Sequence, residues 1–447
     1  MRNDAWTECT VDDIKSSEPN ALATGPFGSA ISSRHFVDSG VPVIRGSNLS
    51  QDVGIRLIDN GLTFLTEAKA KEFGRSVVKR GDLVFTCWGT IDQVGLIDQR
   101  SRFLEYVVSN KQMKLTPDPR KASSLFLYYL FSSPLVRESI VNQGIGSSVP
   151  GFNLGQLRAL TLRLPPLVEQ RAIAHILGTL DDKIELNRRM NETLEAIARA
   201  LFKSWFVDFD PVRAKSEGRD SGLPKHLADL FPGSFEDSEL GEIPRGWSTA
   251  PLPEVIDINP SRTLRQGEVA RYLDMANMPT RDHSPDAVVD RPFGSGMRFM
   301  KGDTLVARIT PCLENGKTAF VDFLREGQVG WGSTEFIVLR PKPPLPAEYA
   351  YCLARSGEFR QFAIQSMTGS SGRQRVPVDS LSHFLVISPV EQVATLFGKV
   401  VTPLFARAMA AKEESRTLAA LRDTLLPKLI SGELRVKNAD RFLERLS

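Results

Sequence analysis

The sequence predicts an α+β chain with an internal pseudo-two-fold repeat. Two similar domains of mixed strands, loops and short helices are separated by two long antiparallel helices that form a coiled coil. Three observations predict this. Short anchors recur at nearly one offset, two long apolar stripes follow at helical spacing, and a Gly/Pro-rich stretch between the copies gives the second copy room to turn back. The anchors are Lys79-Arg80-Gly81-Asp82 with Met300-Lys301-Gly302-Asp303, Gly146-Ser147-Ser148 with Gly369-Ser370-Ser371, and Val168-Glu169-Gln170 with Val390-Glu391-Gln392. Their offsets are 221, 223 and 222 residues, so the 447 residues read as one unit of about 220 residues written twice.

Each unit opens with short alternating apolar runs broken by Gly and Pro, the pattern of short strands and loops. The expected boundaries are 1–165 and 247–387 for the mixed domains, 166–207 and 388–430 for the long helices, 208–246 for a linker and 431–447 for a tail. The first long helix starts at Pro165-Pro166 with Glu169 in its first turn. Apolar residues then recur at Ile173, Leu177, Leu180, Ile184, Leu194, Ala198, Leu201 and Trp205, at intervals of three, four and seven. Asn187 and Asn191 fall on the same stripe, either as a solvated break or as a pair that fixes register between helices. Glu185–Arg189 and Glu195–Arg199 have the i,i+4 spacing of a solvated face. The second stripe runs through Val393, Phe397, Val400, Leu404, Ala411, Leu418 and Leu425, and Pro403 is expected to kink or break it near Val401 and Thr402.

Composition excludes several classes. With 56 Lys and Arg against 53 Asp and Glu, the formal charge is +3, too small for a polycation. Residues 1–165 carry 19 basic and 16 acidic side chains, and residues 248–388 carry 16 and 15, which leaves room for a basic face but no bulk basic surface. Cys9, Cys87, Cys312 and Cys352 lie far apart, and the five histidines do not pair at ligand spacing, so no zinc site is expected. The N-terminal residues lack the apolar core of a signal peptide, and no run of about 18 apolar residues occurs; a cytoplasmic chain without a membrane span is expected.

Catalytic motifs are absent. Gly316-Lys317-Thr318 resembles the end of a phosphate-binding loop, but Pro311 stands where that loop needs Gly, and an apolar strand-like run follows. No G-x-G-x-x-G, G-x-S-x-G or Cys/His pair is present. What the mixed domains do offer is loop-borne polar side chains able to meet base edges and phosphates. In the first copy these are Arg34, Arg45, Asn48, Thr90, Gln93, Gly146, Ser147, Ser148 and Asn153. In the second they are Asn277, Arg281, Arg308, Asn315, Lys317, Gly369, Ser370, Ser371, Arg373 and Arg375. The two Gly-Ser-Ser loops, each just ahead of its long helix, stand out.

Two longer patterns carry a resemblance. Leu164-Pro-Pro-Leu-Val-Glu-Gln-Arg-Ala-Ile-Ala, Leu180-Asp-Asp-Lys-Ile-Glu-Leu-Asn and Leu201-Phe-Lys-Ser-Trp-Phe-Val-Asp-Phe-Asp-Pro-Val form the first; Thr424-Leu-Leu-Pro-Lys-Leu-Ile-Ser-Gly-Glu-Leu forms the second. With Gly25-Pro-Phe-Gly-Ser-Ala-Ile and Ser238-Glu-Leu-Gly-Glu-Ile-Pro-Arg-Gly-Trp, they are similar to the specificity subunits of type I restriction-modification systems. The resemblance implies a non-catalytic subunit with two target recognition domains, each reading one half of a bipartite site on double-stranded DNA. It implies docking of two modification (N6-adenine methyltransferase) subunits, and of restriction/translocase subunits, on helical regions that would include Glu169, Gln170, Ile184, Asn187, Leu201, Trp205, Glu391 and Gln392. S-adenosylmethionine, ATP and magnesium would then sit on those partners and no cofactor on this chain. The residues alone leave a second reading open, a coiled-coil scaffold whose heads bind protein, and a third, an ATPase at Gly316–Thr318.

Overall fold

The structure is a computed structural model, and it describes residues 6–28, 30–146, 149–285, 287–370 and 372–444. The chain divides into two compact units. Unit 1 comprises residues 1–184 and 416–447; unit 2 comprises residues 185–415.

Unit 1 holds a mixed domain closed at its base by Thr7–Thr10 pairing antiparallel with Thr161–Leu164, the strand immediately before the first long helix. Inside it a four-stranded sheet runs in the order Leu22–Thr24, Gln112–Leu115, Leu83–Thr86, Val94–Leu96. A second, five-stranded sheet contains one parallel pair, Val41–Ile44 with Glu105–Val108. The helices Ser124–Ser132 and Pro134–Asn142 cover the first sheet, and the fully buried Phe126, Tyr128, Tyr129 and Phe131 fill the space between.

Unit 2 repeats this plan. Ser248–Pro251 pairs with Leu385–Ser388, again the strand just before a long helix. Its four-stranded sheet has the matching order Ile256–Ile258, Phe336–Pro341, Thr304–Ala307, Thr318–Phe320. The second sheet also holds one parallel pair, Val269–Leu273 with Val329–Gly332. The helices Ala347–Ala354 and Gly357–Gln365 correspond to the covering pair of unit 1, and the serine between them, Ser133 or Ser356, caps the second helix of each pair.

The Gly-Asp anchor proves to be a structural turn. Gly81 and Gly302 have φ of +97° and +85°, a conformation in which a side chain would be strained. Their amides donate to Ile97 and Val321 carbonyls, at 2.8 Å each. Asp82 and Asp303 are buried, and each accepts from the amide three residues earlier, Lys79 N at 2.9 Å and Met300 N at 2.7 Å. The repeated carboxylate therefore closes the same turn onto a backbone donor in each unit.

Both long helices form where the periodicity places them, over Leu167–Phe206 and Glu391–Ser431. They pair antiparallel within each unit. In unit 1, Ile173 and Leu177 share a core with Leu426, Leu429 and Ile430 near the end of the second helix, and Glu169 meets Arg435 just beyond it. In unit 2, Phe202, Trp205 and Phe206 pack on Phe397 near its start, with ring centroids 5.0–6.2 Å apart.

Four expectations need correction. Pro403 does not break its helix, which is continuous from Glu391 to Ser431. Pro403 lies on the exposed face while Val401, Phe405 and Ala408 are buried, so packing outweighs the missing amide hydrogen bond. Residues 208–246 are no free linker: Asp210–Ser216 is helical, Phe235–Ser238 pairs with Gly241–Pro244, and buried Phe209, Val212, Phe231 and Ile243 anchor them in the core of unit 2. Glu195 is not on a solvated face; it is 5% exposed. The apolar side of the second long helix is richer than the stripe suggested. One 18-residue window reaches a mean hydropathy of 1.3, a length and composition that would suffice to cross a membrane, with 39% of the window buried inside the protein.

Candidate functional site

The two Gly-Ser-Ser loops are built on one frame. In unit 1 the chain leaving strand Leu83–Thr86 pairs with the loop's return. Phe152 N donates to Cys87 O at 2.8 Å, Gly89 N donates to Pro150 O at 3.0 Å, and Trp88 bridges Gly151. Ile145 and Gly151 exchange two hydrogen bonds of 2.8 Å across the loop neck. In unit 2, Val376 N donates to Arg308 O at 2.9 Å, Thr310 N donates to Gln374 O at 3.0 Å, and Ile309 bridges Arg375. Thr368 and Arg375 exchange two bonds of 2.9 Å. The frame thus aligns Trp88 with Ile309 and Gly151 with Arg375, so one backbone design presents different side chains in the two units.

Several expected contact residues are exposed on these loops or beside them. Gly146 (φ +104°) and Gly369 (φ +121°) make the turns, and Thr90, Ser370 and Arg373 are exposed. Ser147, Ser148 and Ser371 lie outside the described residues. Arg34, on the turn Ser33–His35, is exposed, as are Arg281 and Asn315. Arg45 is half-buried, with its guanidinium 5.8 Å from the centroid of the Phe36 ring. Arg308 is half-buried and its Nε has no hydrogen-bond partner within the protein.

Other expected contact residues are engaged in holding the fold. Asn48 is 1% exposed; its Oδ1 accepts from Arg45 N and its Nδ2 donates to Ile58 O, both at 3.0 Å. Gln93 donates to Leu49 O at 3.1 Å. Asn153 caps the helix Leu154–Ala159, accepting from Gln156 N at 3.0 Å. Asn277 is folded back on Asp274. Lys317 donates to Met275 O at 2.5 Å and to Ala276 O at 3.3 Å. Arg375 is exposed, but its guanidinium is paired with the Glu335 carboxylate at 2.8 Å. Polar residue type alone does not separate a free donor from a capping or bridging one.

The helix residues divide in the same way. Glu391 and Gln392 are exposed, and Ile184 and Leu201 are half-buried. Trp205 is 3% exposed in the core of unit 2, and Glu169 and Gln170 are buried in unit 1. Glu169 accepts from Arg435 at 2.7 Å, and Gln170 accepts from Ser123 N at 3.0 Å. Asn187 is fully buried; its Nδ2 lies 3.2 Å from Ala411 O and 2.9 Å from Glu414 Oε2 on the second long helix. Buried Trp205, Glu169, Gln170 and Asn187 present no side chain to a partner, and Asn187 takes the register-fixing role between the chain's own helices.

Two features escaped the sequence reading. Each unit joins its covering helix to the first long helix through a tyrosine and a buried carboxylate: Tyr129 to Asp181 at 2.5 Å in unit 1, Tyr351 to Glu195 at 2.8 Å in unit 2. Arg56 and Arg422 flank Asp181, and Arg355 and His283 flank Glu195. Burial raises the Glu195 pKa against the opposing pull of Arg355 and Tyr351. The second feature is exposed aromatic surface. Among the described residues only two aromatic side chains are exposed, Phe27 at 73% and Trp88 at 52%. The repeat could have revealed Trp88, since the offset places it opposite Ile309 beside a loop already singled out. Among the described residues, no cluster of His, Cys, Asp and Glu could hold a metal ion.

Comparison with known proteins agrees with this geometry. Residues 28–196 match the family model described as the type I restriction modification DNA specificity domain. The chain is 24% identical over 412 residues to a protein of Haemophilus influenzae named type I restriction enzyme HindI specificity subunit, covering 80% of this chain and 88% of that one. It is 24% identical over 398 residues to the MjaIX specificity subunit of Methanocaldococcus jannaschii, covering 85% and 84%. Its fold resembles the crystal structure of a type I restriction-modification S subunit from M. genitalium, with a TM-score of 0.55, 16% identity and coverage of 96% and 97%. In its repeated heads and paired long helices, as in these matches, the chain is similar to the specificity subunits of type I restriction-modification systems.

Proposed function

We propose that this chain is the DNA-reading subunit of a type I restriction-modification complex. Unit 1 reads one half of a bipartite site on double-stranded DNA and unit 2 reads the other. The observation that carries this is the shared loop frame with unlike side chains, Trp88 and Gly151 against Ile309 and Arg375. Identical heads related by a two-fold axis would read a palindrome; heads that differ at the loop tips read two different sequences. The site is therefore asymmetric and split, with half-site centres about one helical turn (~10 base pairs) apart, set by the long helices.

The chain carries no chemistry of its own in this reading. Two modification subunits dock on the helical regions and supply N6-adenine methylation with S-adenosylmethionine, and restriction/translocase subunits supply ATP- and magnesium-dependent cleavage. The complex works in the cytoplasm. Exposed Glu391 and Gln392 remain available for docking, with half-buried Ile184 and Leu201 at its margin. The near-neutral charge supports weak DNA affinity for the isolated chain, because binding rests on a few loops and on the partners.

Sequencing the methylated positions in cells that express this chain with its modification subunits tests the proposal. The expected result is a gapped motif with two dissimilar halves. A palindromic or ungapped motif overturns the asymmetric reading, and no motif at all overturns DNA recognition.

A further inference from the structure

We infer that Trp88, assisted by Phe27, is a specificity-determining contact of unit 1, and that it reads an apolar base surface. The inference rests on the DNA-reading function proposed above. Trp88 is held in place from one side only. Its ring lies against Gly151 so closely that a Cβ there would fall 2.5 Å from Cζ3, and its backbone is pinned through Cys87 and Gly89 to the loop's return. Even so, 52% of the residue stays exposed in a domain that buries Tyr106, Tyr128, Tyr129 and Phe126 completely.

Hydrogen bonds through the Asn110–Lys111 turn link the second exposed aromatic, Phe27, to the Trp88 hairpin. Cys87 N donates to Lys111 O at 2.7 Å, and Asn110, next in the chain, donates from its side chain to Gly28 O at 3.3 Å. These bonds tie Gly28, next to Phe27, and Cys87, next to Trp88, to adjacent residues of one turn. The surroundings are cationic: Lys111 is exposed on the connecting turn, and the Arg75 guanidinium lies 5.7 Å from the Phe27 ring centroid. A rigid apolar tip flanked by cations suits a polyanion whose bases are reached between its phosphates. In unit 2 the equivalent positions carry Ile309 and Arg375, so the aromatic reading belongs to one half-site alone.

An apolar base surface is either a thymine methyl in the major groove or the face of an unstacked base. The test uses the full chain assembled with its modification subunits, and duplex libraries randomised in one half-site at a time, with methylation read by sequencing. Trp88→Ala is expected to relax one or two positions in one half-site, with about a ten-fold loss on the parent sequence, and to leave the other half unchanged. Gly151→Ala, which displaces the ring without removing it, relaxes the same positions. Phe27→Ala relaxes positions of that half-site as well. Should Trp88→Ala not fold, Trp88→Phe and Gly151→Ala carry the test. Deoxyuridine in place of thymidine at the relaxed position abolishes the wild-type preference if the contact is the methyl, and leaves it if the contact is the base face. An unchanged motif in Trp88→Ala and Gly151→Ala overturns the inference, as does a uniform loss at every position with an unchanged melting temperature. A parent complex that yields no motif overturns the DNA-reading function itself, so the two failures are distinguishable.

Discussion

Tyr351 donates its phenolic hydrogen to Glu195 Oε1 across 2.8 Å, and both residues are buried. This bond ties the head of unit 2 to the first long helix, as Tyr129 and Asp181 do in unit 1. Tyr351→Phe leaves the carboxylate oxygen with Arg355 at 3.5 Å as its nearest remaining partner on that side. A loss of about 1–3 kcal/mol is expected, seen as a lower urea midpoint with an unchanged slope. A loss under about 0.5 kcal/mol, the range of surface substitutions, shows that the bond does not anchor the head.

Glu185 gives a pH-dependent prediction. Hydrogen bonds from Arg188 and then Arg189 outweigh its partial burial and pull its pKa from 4.5 to about 2. A carboxylate depressed in the folded state adds stability that is complete above its unfolded value and is lost as pH falls through the folded one. Glu185→Gln should therefore cost about 0.5–1 kcal/mol at pH 7, modest because Arg188 and Arg189 are exposed, and progressively less as pH falls from about 4.5 to 2. Melting curves of both proteins between pH 7 and pH 2 check it, and a gap that stays constant with pH is the contrary result.

Asn187 is buried between the helices, and its Nδ2 lies 2.9 Å from Oε2 of the exposed Glu414 and 3.2 Å from Ser415 Oγ. Asn187→Asp brings a second carboxylate to that point. It should cost about 3 kcal/mol at pH 7 and recover much of this near pH 4, where one of the pair takes a proton. Equal melting temperatures for parent and variant at pH 7 contradict the buried contact.

Arg373 and Arg375 stand two residues apart in the unit 2 loop but differ in availability. Arg375 is held by Glu335, while Arg373 is exposed. On the assembled complex, Arg373→Ala should weaken DNA binding by about 1–3 kcal/mol if it meets a base. Glu335→Gln should free Arg375 and steepen the salt dependence of binding, because one more cation can then reach a phosphate. A salt slope identical to the parent's places Arg375 away from DNA.

The fold was readable because its repeat is written in residues that the backbone requires. Gly81 and Gly302 are needed for a positive φ, and Asp82 and Asp303 to bond the turn's backbone amides, so the anchors survive where surrounding side chains differ. The long helices were readable from a stripe that tolerates one proline: Pro403 faces water, and spacing cannot report which face a partner will cover. Contact residues were much less legible. Asn48, Asn153 and Lys317 have the same chemistry as free base readers, and only their distances to Arg45 N, Gln156 N and Met275 O show that each is engaged with the chain's own backbone. Trp88 is illegible for the converse reason, since an aromatic in sequence is by default a core residue.

Unit 1 is assembled from two stretches of chain with the whole of residues 185–415 between them. During synthesis, unit 2 has all its parts before unit 1 does. Ile173, Ala174 and Leu177 wait for Leu426, Leu429 and Ile430 to leave the ribosome, and Glu169 waits for Arg435. At roughly 5–20 residues per second, that interval lasts on the order of tens of seconds, during which an apolar helix face is open to chaperones and proteases. The first half of the nascent protein is thus the last to be sealed, and a frameshift near residue 416 would leave it permanently ajar.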